Sequence, residues 1–63
     1  QSIPKYAPKI ELGNTYHEVE QLIGSPEKID EDDKNGHHYT MWSYSNKKYI
    51  RLYFEDHLLI RME

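Results

Sequence analysis

Four histidines are the first candidates for chemistry in this sequence, because imidazole nitrogens are good ligands for zinc. His37 and His38 are adjacent, so on a strand their side chains point to opposite faces and do not easily reach one ion. The chain has no His-x-His or His-x3-His spacing and no cysteine, so a zinc site would need ligands that only the fold brings together. We therefore interpret His17, His37, His38 and His57 as surface and turn histidines, and we expect no metal and no other cofactor.

A calcium loop is a second chemistry to consider, because carboxylates crowd the stretch at residues 30–33. An EF-hand loop has an invariant glycine at its sixth position and a bidentate glutamate at its twelfth. With Gly36 in the glycine position, the twelfth position falls on Trp42, which offers no oxygen ligand. The sequence therefore predicts a solvated hairpin tip at this place rather than a calcium site.

Catalytic groups also lack a suitable arrangement. Glu55 and Asp56 are adjacent carboxylates, but general acid–base chemistry requires a carboxyl group in an apolar pocket beside a substrate cleft. No serine stands in the Gly-x-Ser-x-Gly context of a nucleophile elbow. A chain this short scarcely encloses a substrate pocket as well as a core. We predict that the protein is not an enzyme.

Composition narrows the class of protein and its partners. The chain has 63 residues, enough for one domain with a small core, and its formal charge of −3 argues against a nucleic-acid partner. No apolar run approaches the roughly 20 residues that a membrane span requires. Because the chain begins at Gln1 rather than Met, the sequence leaves room for a targeting segment or a lipid anchor upstream.

The elements that would position these groups begin with an arm and a short helix. Residues 1–9 contain two prolines and no amphipathic period, so we predict an extended arm or linker before a single domain at residues 10–63. Thr15 and Glu18 have the form of a capping box, and Gly24 is well placed to end the helix in a left-handed conformation. The apolar residues that share one face of this predicted helix, residues 16–23, are Val19, Leu22 and Ile23.

Alternating patterns after the helix indicate an antiparallel sheet. Asn35-Gly36 is the strongest hairpin signal, because both residues accept the positive φ of a type I′ turn, and Asp56-His57 has the position of a further turn. The predicted strands cover about residues 27–33, 37–44, 48–55 and 58–62. We predict an α+β fold in which a short N-terminal helix packs on a three- to four-stranded antiparallel β-meander.

Three segments have a characteristic order, namely LGNTYHEVEQLIGSPEKI, then MWSY, then IRLYFEDHLL. A Gly and a Thr open a helix and a Gly-x-Pro ends it. A Trp-x-Tyr strand follows, and then a strand that ends in Phe before an acidic turn. Over about residues 10–60 this pattern resembles the SmpA/OmlA lipoprotein family. The matching positions are Gly13, Thr15, Val19, Gly24, Pro26, Trp42, Tyr44, Phe54 and Asp56.

The resemblance implies a role as well as a fold. The best-known member of the family is an accessory lipoprotein of outer-membrane β-barrel assembly. The resemblance therefore implies a non-catalytic interaction module of the bacterial cell envelope, outside the cytoplasm, which binds a larger envelope protein. Two departures are visible, because the lipid-modified cysteine is absent and His57 stands where a turn glycine is usual. Proteins similar to β-lactamase inhibitors share the fold.

The sheet face away from the helix carries the predicted partner-binding residues. We expect Ile50, Leu52 and Phe54 to meet the helix in the core, and the family pattern places Trp42 and Tyr44 there too. Tyr49, Arg51 and Tyr53 then lie on the opposite face. If Leu59 packs under the helix, this strip is extended by Leu58, Ile60 and Met62. A strip rich in Tyr, Arg and Met has the composition of a protein–protein interface.

Several alternatives stand beside this docking face. In one alternative, the arm folds over the strip through Ile3 and Tyr6. In another, the tyrosines of the strip simply pair with one another across strands. A sheet edge pairs with a second copy and forms a homo-oligomer. As an alternative function, the protein is an inhibitor whose acidic loop at residues 30–38, with Asp32 and Asp33, blocks the cleft of an enzyme. A third alternative is a structural module of a larger envelope protein.

Overall fold

A computed structural model describes residues 9–63 and has one helix followed by four strands. These elements are α1 (Tyr16–Ile23), β1 (Lys28–Lys34), β2 (His37–Ser43), β3 (Arg51–Glu55) and β4 (Leu58–Met62). The strands form a single antiparallel sheet in the order β1-β2-β3-β4, so each strand pairs with its neighbour in the sequence. The predicted α+β fold, a helix before an antiparallel meander, is confirmed. Within this part of the chain, no helix has the length and apolar character needed to cross a membrane.

α1 has the boundaries that its capping signals predict. Thr15 Oγ1 accepts a hydrogen bond from the Glu18 N–H at 3.2 Å, and Glu18 Oε1 accepts one from the Thr15 N–H at 2.9 Å. Gly24 ends the helix with a φ of 90°, and its N–H donates to the Glu20 carbonyl. Its ψ of 174° is extended rather than left-handed helical, a conformation that is essentially restricted to glycine. An eight-residue helix is marginal in water, so α1 depends on packing against the sheet.

Two-residue turns join β1 to β2 and β3 to β4. Asn35 and Gly36 have φ values of 52° and 81°, and Asp56 and His57 have values of 49° and 77°. Positive φ at both central residues is the mark of a type I′ turn, whose twist matches that of the flanking strands. The predicted turns at Asn35-Gly36 and Asp56-His57 are confirmed, and they lie at the same end of the sheet.

The core lies between α1 and one face of the sheet, which we name the inner face. Val19 and Leu52 are fully buried, and the Tyr16 ring stacks on Trp42 with 5.4 Å between ring centroids. Two polar contacts also join helix and sheet. The Tyr16 hydroxyl lies 2.6 Å from Thr40 Oγ1, and the Tyr44 hydroxyl donates to the Gly24 carbonyl at 2.8 Å. The buried residues are Ile10, Val19, Thr40, Trp42, Tyr44, Leu52, Phe54 and Leu59.

The connection between β2 and β3 departs from the predicted pattern. β3 begins at Arg51 rather than near Lys48, because residues 44–50 form a loop that the Tyr44 N–H closes by donating to the Ile50 carbonyl at 2.8 Å. Ile50 is 45% exposed, so its predicted place in the core is wrong. The predicted place of Tyr49 on the opposite face is also wrong, because its half-buried ring packs against the core.

β4 contains an irregularity that the period-two pattern does not predict. Tyr53 pairs with Arg61, whereas Phe54 pairs with Leu59, so Ile60 is an extra residue that bulges out of the ladder. Leu59 is buried, which decides an orientation that the sequence left open, but the bulge turns Met62 toward the core and Arg61 toward the opposite face. The prediction that Met62 extends the outer strip is therefore wrong, and Arg61 takes that place.

Candidate functional site

The sheet face opposite α1, which we name the outer face, has a row of side chains that crosses all four strands. Cross-strand pairing aligns Asp30 with Met41, Met41 with Tyr53, and Tyr53 with Arg61. Met41 and Tyr53 are half-buried, and the neighbouring Tyr39 is too. These side chains surround a shallow depression of about 240 Å³, whose lining also includes Ile60. The centre of the outer face is thus apolar and aromatic, and it is open to solvent.

Charged side chains border this apolar centre on both sides. Asp30 and Asp32 project from β1. On the β4 side, the Arg61 guanidinium carbon lies 4.9 Å from the centroid of the Tyr53 ring, a cation–π distance. The Tyr53 hydroxyl donates to Glu63 at 3.1 Å, and Arg61 also hydrogen-bonds this carboxylate. These donors, Arg61 foremost, hold the pKa of Glu63 below its usual value.

The predicted partner-binding residues separate into several places. Arg51 and Tyr53 lie on the outer face as expected, whereas Tyr49 lies in the β2–β3 connection. Asp32 pairs with Tyr39 on the outer face, and Asp33 points to the inner face, where it hydrogen-bonds His38. The acidic segment is therefore a fully paired strand with a two-residue tip, not a loop. Tyr6 and the predicted arm lie outside the described residues, apart from Lys9.

Three histidines and several carboxylates meet at the end of the sheet that has the two tight turns. On the inner face, His38 Nδ1 is 2.7 Å from Asp33 Oδ1, and His38 Nε2 is 2.7 Å from Glu31 Oε1. A carboxylate at each nitrogen favours the protonated ring, so the hydrogen bonds that Asp33 and Glu31 accept raise the pKa of His38. The ring of His57 lies 5.9 Å from that of His38 and 5.3 Å from that of Tyr16.

On the outer face of the same end, His37 lies between two carboxylates. His37 Nδ1 is 2.7 Å from Asp56 Oδ2 and 3.5 Å from Glu55 Oε2. Asp56 is held in place by the backbone, because its Oδ1 accepts from the His38 N–H at 2.9 Å and its own N–H donates to the His38 carbonyl at 2.7 Å. The hydrogen bond with Asp56 raises the pKa of His37, and the same bond lowers the pKa of Asp56.

The fold, and no local sequence pattern, brings these groups together. His37 and Asp56 are 19 residues apart and form no motif. A signal was nevertheless present, because the β1–β2 and β3–β4 hairpins lie side by side through the pairing of β2 with β3, and both of their turns are then at one end of the meander. Residues that flank Asn35-Gly36 then lie near residues of Asp56-His57, and a search for ligands across the two turns finds the pair.

A second depression lies on the inner face, because α1 does not extend over β1. It has a volume of about 420 Å³ and is bordered by Tyr16, Glu20, Ile29, Trp42 and His57 among others. Ile29 is 50% exposed in this position. The inner face thus has a groove beside β1. An experiment on binding must distinguish this groove from the outer face.

Comparisons with models of protein families, with curated proteins and with solved structures give no match for this chain. The resemblance to the SmpA/OmlA family therefore stays a prediction from the sequence. The envelope location and the partner that the resemblance implies also stay predictions from the sequence.

Proposed function

We propose that the protein is a non-catalytic protein-binding module that docks on a larger protein of the bacterial cell envelope through its outer face. The observation that carries this proposal is the row from Asp30 through Met41 and Tyr53 to Arg61, which crosses the whole sheet. The envelope location and the size of the partner rest on the sequence resemblance to the SmpA/OmlA family.

The composition of the outer face supports a polypeptide partner. Tyr, Met and Arg are enriched at protein–protein interfaces, and binding hot spots are enriched in Tyr and Arg near the centre of the contact. Tyr53 and Met41 lie at the centre of the outer face, and Tyr39 lies beside them. Because Arg61 already lies over the Tyr53 ring, both side chains lose little conformational freedom when a partner covers them.

Charge indicates the chemistry of the partner segment. Asp30 and Asp32 border the depression on the β1 side, and Arg61 borders it on the β4 side. A complementary segment presents an apolar side chain to Met41 and Tyr53, a basic group to the carboxylates and an acidic group to the guanidinium. Such complementarity sets orientation and the rate of association more than affinity.

Site-specific photo-crosslinking in envelope extract of the source cell tests the site. Probes replace Tyr53 on the outer face, Ile29 in the inner groove and His17 on the exposed side of α1. We expect one heteromeric adduct from position 53 and not from the other two. Adducts of the protein with itself alone, or equal adducts from positions 53 and 17, contradict the proposal, and an adduct from position 29 alone moves the site to the inner groove.

Measurement of the affinity for the crosslinked partner then shows whether outer-face residues contribute to binding or only lie near the partner. We expect Tyr53→Ala and Arg61→Glu each to weaken binding at least about tenfold, as the loss of a hot spot does. His17→Ala is the control, because this side chain is exposed on α1. Unchanged affinity in both outer-face variants would exclude the outer face as the binding site.

The inhibitor hypothesis has less support. It requires the acidic segment to enter an enzyme cleft, but β1 is paired with β2 along its length and Asp33 is hydrogen-bonded to His38. The inhibitor hypothesis predicts that Asp32→Lys combined with Asp33→Lys abolishes inhibition of a target enzyme. Because Asp32 also borders the proposed docking depression, enzyme inhibition rather than partner binding is the measurement that separates the two hypotheses. Retained inhibition in that variant eliminates this hypothesis.

A further inference from the structure

A group of potential metal ligands lies at the turn end of the outer face. One ligand atom each from His37, Glu55 and Asp56 lies within 4.8 Å of the other two. The three residues come from the start of β2, the end of β3 and the turn after β3. We propose that His37, Glu55 and Asp56 form a binding site for a divalent transition-metal ion of the zinc type.

Two of the three ligand distances suit such an ion after a small adjustment, and the third, between oxygens of Glu55 and Asp56, is no more than 4.8 Å. Zinc binds a histidine nitrogen at about 2.0–2.1 Å and a carboxylate oxygen at about 2.0–2.2 Å, so two tetrahedral ligands are about 3.4 Å apart. His37 Nδ1 is 3.5 Å from Glu55 Oε2, which already fits, and 2.7 Å from Asp56 Oδ2. The second pair must separate by about 0.7 Å, because the ion replaces a direct hydrogen bond.

The surroundings of the three residues fix their orientation. Asp56 Oδ1 accepts from the His38 N–H, which leaves Oδ2 to face His37. The Tyr39 hydroxyl lies 3.5 Å from Glu55 Oε2 and donates to it. Groups that hydrogen-bond the ligands in this way hold metal sites in shape and contribute to affinity. The two tight turns bring His37 beside the adjacent Glu55 and Asp56, although His37 and Asp56 are 19 residues apart in the sequence.

Exposure and ligand type determine which ion fits. The side chains of His37, Glu55 and Asp56 are 49%, 34% and 50% exposed, so an ion has access and water completes its coordination. One imidazole with two carboxylates favours zinc and its neighbours among the transition metals, whereas calcium and magnesium prefer sites made only of oxygen. The site does not depend on the proposed docking function, because it needs no partner protein.

The test is titration of the whole chain with ZnCl₂, followed by calorimetry and by NMR of the histidine rings. We expect saturable binding of one ion, with the largest ring shift at His37, and at least about a tenfold loss of affinity in His37→Ala. Asp56→Asn is the second variant, because Asn also suits a turn with positive φ but lacks the charge. We expect the same loss there, with the fold retained in the fluorescence of Trp42.

Two histidine variants are the controls. His38→Ala removes a neighbouring histidine that also lies between carboxylates, and His17→Ala removes one on α1. Both should keep the zinc affinity within about twofold, and excess MgCl₂ should not compete. Absence of zinc binding at millimolar concentration, or equal losses in His37→Ala and His38→Ala, would overturn the site.

Discussion

Tyr44 is a buried phenol that connects the end of β2 to the end of α1. Its side chain is part of the core, with 6% of the residue exposed, and its hydroxyl donates to the Gly24 carbonyl. Burial, together with the nearby charge of Glu20, raises the pKa of Tyr44 from 10.0 to about 12. Because the folded pKa is above the unfolded value, the neutral phenol contributes stability below pH 10, and this contribution is lost as the pH rises through about 12.

We expect this group to make the protein less stable in alkali. Between pH 8 and pH 11, the titration of Tyr44 alone should lower the free energy of unfolding by about 1.4 kcal/mol. Urea unfolding of the wild type and of Tyr44→Phe at the two pH values measures this contribution. The two proteins differ only at this phenol, so the pH dependence should be smaller in the variant by that amount. The same pH dependence in both would show that Tyr44 ionises normally.

At the scale of the element, the capping box stabilises the first turn of α1, which begins at Tyr16. Both reciprocal hydrogen bonds between Thr15 and Glu18 are present. We expect Thr15→Ala to lower the free energy of unfolding by about 1 kcal/mol, because the Glu18 N–H loses its acceptor. Thr15→Ser keeps the hydroxyl and should stay within about 0.5 kcal/mol of the wild type. Urea unfolding measures both, and equal losses would mean that the methyl group of Thr15 matters rather than the cap.

The bulge at Ile60 makes a second prediction at this scale. Met62 packs against the core, whereas Ile60 is 47% exposed. We expect Met62→Ala to lower the free energy of unfolding by about 1–2 kcal/mol, because a half-buried side chain loses part of its packing. Ile60→Ala should cost less than about 1 kcal/mol. A larger loss of stability for Ile60→Ala than for Met62→Ala in urea unfolding would contradict the bulge and support strict alternation along β4.

The helix and the turns could be predicted because their signals are local. Thr15, Glu18 and Gly24 define α1 from within about ten residues, and Asn35-Gly36 defines a hairpin by backbone preference alone. The place of Tyr49 could not be predicted, because alternation assumes that a strand continues through it. The chain instead loops there and places an aromatic ring near Ile10 and Ile23. Whether the chain continues as a strand or forms a loop there depends on competing tertiary contacts, which a short sequence pattern does not predict.

The candidate sites divide in the same way. Alternation within β3 correctly places Arg51 and Tyr53 on the outer face. Arg61 joins them only because of a bulge, and the sequence has no glycine or proline there to mark it. The contact of His37 with Asp56 depends on the register in which β2 pairs with β3, strands that a seven-residue loop separates. Site residues within one regular strand were therefore predictable, and those that depend on pairing between strands were not.

At the scale of the whole molecule, one cluster of buried residues joins α1 to the sheet. The buried residues of this cluster come from α1, β2, β3, β4 and the segments beside them, and β1 contributes none to it. A domain of this size rarely has more than about 3–5 kcal/mol of stability from a single core. α1 is too short to persist alone. Helix and sheet should therefore unfold together.

We expect one cooperative transition in urea, with the same midpoint by far-ultraviolet circular dichroism and by the fluorescence of Trp42, the single tryptophan. Leu59→Ala tests the shared core, because Leu59 is 1% exposed and its truncation should cost about 2–5 kcal/mol, a large part of the total. Both signals should then shift to lower urea together. Leu58→Ala is the control next to it, since Leu58 is 46% exposed and should change the midpoint little. A helical signal that outlasts the tryptophan signal, or equal effects of the two substitutions, would contradict a single core.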